Sequence, residues 1–159
     1  MVTQKLPFGV IKARRAGARL AAVQALYQME QSGQGAKATI RDLMDDRLGL
    51  GPDEIPVEEA DPDLFKAIVM ATVTHQDTID AAILTRLSKG WKLSRLDSTT
   101  RAILRAATGE LIGHTHVSSA IILDEYVSLA HDFFDQTEAN FVNAVLDKVS
   151  ADLRPKERR

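Results

Sequence analysis

No stretch of this 159-residue chain alternates apolar and polar side chains with the period of two that a half-buried strand requires. Apolar residues recur instead at spacings of three and four, segment after segment, as they do along one face of a helix. The expected fold is therefore all-α, with six or seven helices in two packed bundles.

Lys12 to Gln31, reading KARRAGARLAAVQALYQMEQ, is the segment that speaks most about function. At about 100° per residue, Ala16, Leu20, Val23 and Tyr27 fall within about a 60° sector, which predicts a stripe to bury. Arg15 and Arg19 lie four apart on the flank of that stripe, with Lys12 and Arg14 just ahead of them. From Met1 to Met29 there is no acidic residue, while Lys5, Lys12, Arg14, Arg15 and Arg19 are basic. A helix that docks by one face and keeps unneutralised arginines on a flank suits a polyanion. A solvated basic face is the competing reading.

Composition narrows the alternatives. Hydrophobic residues make up 45% of the chain and charged residues 26%, an ordinary globular balance. Net charge is −2, so affinity for nucleic acid has to come from local segregation of charge. The absence of cysteine removes disulfides and thiolate chemistry. No apolar run approaches the length of a membrane span, and the N-terminal segment has no long apolar core, so a cytoplasmic protein is expected.

Along the chain, residues 1–12 are expected to form a flexible arm. The first helix should stop near Ser32-Gly33, where glycine can adopt the left-handed conformation. A short helix is expected over Thr39–Leu48. Residues 51–62 hold Pro52, Pro56 and Pro62 among five acidic residues (Asp53, Glu54, Glu58, Glu59 and Asp61) and read as an acidic connector. It would divide a single domain, 13–154, into subdomains of about 13–50 and 62–154, followed by a basic tail, 155–159.

Asp63 to Leu87 predicts one long helix. Ser88–Leu96 is a connector around Gly90 and Trp91, and the indole either stacks on a base or, the favoured reading, plugs a junction between helical layers. Asp97 is expected to cap a helix over Ser98–Ile112, on which Arg101 and Arg105 sit off the apolar stripe. His114 and His116 could chelate a metal, but no third ligand accompanies them, so no metal site is expected. Ser118–Phe133 predicts a helix burying Ile122, Tyr126, Leu129 and Phe133. Asp135 and Glu138 fit a capping box for a last helix that buries Val142, Val145, Leu146, Val149 and Leu153. Phe141 falls about 100° from the centre of that stripe, near Asn140 and Asn143, and is either a core residue at a helix–helix edge, the favoured reading of the residue alone, or a stacking residue for an unpaired base. No phosphate loop, nucleophile elbow or ligand cluster supports an enzyme.

Three stretches, ARRAGARLAAVQALYQ, WKLSRLDSTTRAILRAATGEL and SLAHDFFDQTEANFVNAVLDKV, resemble the NusB transcription antitermination family, in the right order over about residues 13 to 154. The resemblance implies an all-helical, non-catalytic protein of two subdomains that needs no cofactor. It would bind boxA RNA of ribosomal RNA operons together with NusE, a small-subunit ribosomal protein, and load onto the RNA polymerase elongation complex with other Nus factors. It also implies RNA contact by Arg14, Arg15 and Arg19 and by Phe141 of the Phe-Val-Asn motif. Adding the residues that charge and position suggest, the expected RNA-binding set is Lys12, Arg14, Arg15, Arg19, Gln24, Tyr27, Arg101, Asn140, Phe141 and Asn143. The chain departs from the family pattern at Ala16 and Gly17, which interrupt the arginine run, and at Thr137, Asn140 and Ala144. The competing function is a helical protein-interaction module, or a homodimer, with only non-specific RNA affinity.

Overall fold

A computed structural model describes residues 6–46 and 60–157. Among these residues there are seven α-helices, one short 3-10 turn and no strand. The helices are α1 (Phe8–Ser32), α2 (Ala36–Asp46), α3 (Pro62–Thr74), α4 (Gln76–Thr85), α5 (Ser98–Gly113), α6 (Ser119–Phe133) and α7 (Gln136–Leu153). The 3-10 turn, Leu93–Arg95, leads into α5.

Side chains cap the starts of α3, α5, α6 and α7. Asp61 accepts the amide protons of Asp63 and Leu64 and places Pro62 at the start of α3. Asp97 does the same for Thr99 and Thr100 of α5, Ser118 for Ile121 of α6, and Asp135 for Glu138 of α7. The expected capping box on α7 is half realised, since the Glu138 carboxylate accepts a hydrogen bond from Thr100 Oγ1 of α5 at 2.8 Å. Gly33, at φ 74°, ends α1 as expected and donates its amide to the Met29 carbonyl.

Three expectations are corrected. First, α1 begins at Phe8, so residues 8–12 belong to a helix rather than to an arm. Proline has no amide proton to lose, and the Pro7 carbonyl accepts from Val10 and Ile11 at 3.0 Å. Second, the long helix over 63–87 is two helices broken at His75 (φ −109°, ψ 24°). The β-branched pair Val73-Thr74 resists helix there, and the bend lets Ile79 and Ile83 reach the core. Third, α2 starts at Ala36, earlier than Thr39. The expected contribution of Leu48, and most of the acidic connector, lie outside the described residues.

Helix α5 is the axle. Thr100 to Leu104 and Ala106 to Leu111 are all buried, which alanines and Gly109 permit by letting neighbours come close. A Cβ on Gly109 would stand 2.3 Å from Thr72 Oγ1 of α3, so only glycine allows that approach. Helix α3 packs most extensively on α5 and nearly as much on α1, α6 packs on α7, and one apolar core runs through all seven helices. The amide of Asp61, at the start of α3, donates to the Arg14 carbonyl of α1 at 2.9 Å.

Candidate nucleic-acid interface

Helix α1 turns a different face inward from the one its large apolar residues predict. Ala18, Ala21, Ala22, Val23 and Ala25 are buried, while Tyr27 is 42% exposed. Small side chains let α1 lie close against α3 and α5, and close packing outweighs the larger area that Tyr27 and Leu20 would have offered.

Arg19 shares the buried face, so it is not on the exposed flank. It is 2% exposed and grips Glu110 of α5 through Nε–Oε1 at 2.9 Å and Nη2–Oε2 at 2.7 Å. Tyr126 of α6, also buried, donates its hydroxyl to Glu110 Oε1 at 2.9 Å. Burial works against the charge on Arg19, but the hydrogen bonds and charge of Glu110 prevail and raise its pKa. Burial, then the Glu110 charge, pushes the Tyr126 phenol well above its usual value. One carboxylate thus joins α1, α5 and α6.

Arg101 is likewise an internal tie. It pairs with Glu30 at the end of α1 and donates through Nη1 to the carbonyls of Leu93 at 2.9 Å and Leu96 at 2.8 Å. Arg105 completes the network through Glu30 and Asp80. Both guanidiniums are engaged with protein, and burial, helped by the charge of Arg105, lowers the Arg101 pKa.

The remaining sites separate into three groups. Lys12 and Arg15 are exposed on the first turns of α1, with Arg14 half-buried between them, and no acidic residue sits in the first turn to offset the positive helix end. Gln24 and Tyr27 line an open groove of about 490 Å³ between α1, α2 and the facing ends of α5 and α6. Gln28, Gln31, Thr99 and Phe133 line it too, over a floor of Val23 and Leu43. Asn140, Phe141 and Asn143 stand on α7 outside this lining. Asn140 is exposed and accepts from Gln136 Nε2 at 2.7 Å, Phe141 is half-buried against the core, and Asn143 is half-buried.

Phe133 was expected in the core, yet it is 45% exposed at the groove. Its neighbour Phe134 packs inward instead, and the two rings are tilted at 49° with centroids 6.3 Å apart. Phe133 is the last residue of α6 and Phe134 its extended C-cap (φ −134°, ψ 172°), so the two rings leave the helix end in different directions. Trp91 is also outside the core, at 48% exposed, which overturns its expected role as a plug. His114 and His116 meet edge-on at 5.7 Å. His114 Nδ1 is buried without a hydrogen-bond partner, and burial lowers the pKa of the ring.

An all-helical protein of two fused bundles, with a basic helix end and an aromatic groove, is the class that this fold and surface define. The chain belongs to the NusB family: the family model described as "NusB family" matches residues 16–151. It is 65% identical to the transcription antitermination protein NusB of Hyphomonas neptunium over 153 residues, 96% of this chain and 99% of that one. It is 42% identical to the protein of the same name from Caulobacter vibrioides, over 88% and 94% of the two chains. A crystal structure of antitermination factors NusB and NusE in complex with dsRNA superposes with a TM-score of 0.73 at 25% identity, covering 87% of this chain and 97% of that one. NusB of T. maritima has the same fold, with a TM-score of 0.75 at 24% identity over 96% of each chain.

Proposed function

We propose that this chain binds boxA RNA of ribosomal RNA operons together with NusE and acts as a non-catalytic antitermination factor in the cytoplasm. There it joins the RNA polymerase elongation complex with other Nus factors. The observation that carries the RNA reading is the pairing of Tyr27 and Phe133, both exposed, in a groove edged by Gln24, Gln28 and Gln31. Aromatic faces receive unstacked bases and amide side chains read their edges. Lys12 and Arg15, with Arg14 beside them, supply the charge for phosphates at the positive end of α1. The similarity to a NusB seen with NusE and RNA supports the partner.

In this reading, Arg19 and Arg101 hold helices together and do not contact RNA, because their guanidiniums are spent on Glu110 and Glu30. Phe141, Asn140 and Asn143 provide a second contact on α7. Fluorescence anisotropy with a boxA-like RNA and a scrambled control, with and without NusE, across a salt series, tests the reading. Selective binding that tightens with NusE and weakens on Tyr27→Ala is expected. Equal binding of both RNAs, indifferent to NusE, would leave only a basic helical module.

A further inference from the structure

The Ser88–Leu96 turn carries the chain's single tryptophan, and the structure sends its apolar residues in two directions. Leu93 packs against the core and Leu96 is buried, while Trp91 faces outward. Gly90, at φ 87°, makes the reversal that presents the indole, closed by the Trp91 amide donating to the Ser88 carbonyl at 3.0 Å. An indole that the core does not use is available as a flat stacking surface.

The turn's own charges are of one sign. Between Asp80 and Asp97 there is no acidic residue, and Lys89, Lys92 and Arg95 are all exposed. Arg86 is different, since its guanidinium is taken by Asp152 of α7. Exposed cations interleaved with an exposed aromatic are what a single strand of nucleic acid requires, phosphates on the first and bases on the second.

The turn is also fixed relative to the groove. Arg101 holds the carbonyls of Leu93 and Leu96 and, on its other side, Glu30 of α1. The residue after Glu30, Gln31, lines the groove and donates to Ser98 Oγ at 3.3 Å, and Thr99 lines the groove from the start of α5. One arginine thus ties the Trp91 turn to the groove wall.

We infer that the Ser88–Leu96 turn is a further contact for single-stranded RNA, with Trp91 stacking on a base and Lys92 and Arg95 on phosphates beyond the Tyr27–Phe133 groove. The inference rests on the RNA-binding reading above, and it assigns to Arg101 the positioning of this turn.

The single tryptophan provides a direct readout. The full chain, with and without NusE, is titrated with an end-labelled single-stranded RNA of about 12 nucleotides. Label anisotropy and Trp91 emission are followed together. Emission should change in step with anisotropy. Trp91→Ala should weaken binding about tenfold, and Trp91→Phe should restore most of the loss. Lys92→Ala and Arg95→Ala should each lower the salt slope by about 0.7. Anisotropy that rises while Trp91 emission stays flat and Trp91→Ala binds normally would overturn this inference and leave the antitermination reading intact. No rise with any RNA would overturn both. An equal change in emission with poly-glutamate at the same salt would overturn the inference in favour of an acidic protein partner.

Discussion

Arg15 and Arg19 lie one helical turn apart on α1 and have opposite surroundings. Arg15 is exposed near the helix start, whereas Arg19 is sealed against Glu110 and Tyr126. The same division runs through the whole helix, with alanines and Arg19 inward and Gln24 and Tyr27 toward the groove. A charged residue on a helix flank is therefore no guide to function until its partner is known. The partner of Arg19 is 91 positions away in the sequence.

Four substitutions sharpen that contrast. Glu110→Ala has the largest expected effect, because it leaves Arg19 buried with no countercharge. A loss of about 3–5 kcal/mol in urea unfolding is expected, and a loss no larger than that of a surface substitution would break the contrast. Tyr27→Ala comes next, weakening RNA binding by about 1–3 kcal/mol with nearly unchanged stability, read by anisotropy beside thermal melting. Arg15→Ala should lower the salt slope of RNA binding by about 0.7 while leaving the melting temperature in place.

His114 gives the smallest effect. Burial foremost, with the neighbouring charges of His116, Arg19 and Arg154, holds its pKa below 6.5 despite the favourable charge of Glu110. A depressed folded-state value means that the unfolded chain binds protons first on acidification. The stability from neutral His114 is complete above the unfolded value and is lost as the pH falls through the lowered folded value. Unfolding between about pH 7.5 and pH 5.5 should thus show a larger acid loss in the parent chain than in His114→Gln. Equal losses would mean that His114 titrates alike in both states.

The helical fold was legible because it depends on local signals. Apolar spacing located the helices, and Asp97, Asp135 and Gly33 marked their ends. Which face of α1 turns inward was not legible, because alanines contribute little apolar area yet decide how closely helices pack. The break at His75 was hidden for a related reason, since no proline or glycine marks it. In the candidate site, Gln24 and Tyr27 could be chosen from sequence, and Gln28 and Gln31 follow on the same face of α1 at spacings of three and four, but Phe133, Thr99 and Leu43 join them only through the meeting of four helices. That Arg19 and Arg101 turn inward was not legible, because burial of an arginine is a tertiary fact.

The central claim, that the inner arginine of α1 holds the fold while the outer face binds RNA, is tested most directly by replacing the buried trio together. Arg19→Met, Glu110→Leu and Tyr126→Phe in one chain exchange an ion pair for apolar side chains of similar size, a change that is often tolerated. The account predicts a folded variant that binds boxA-like RNA as tightly as the parent, with the same salt slope. A folded variant whose RNA affinity collapses, with a shallower salt slope, would contradict it and return Arg19 to the RNA.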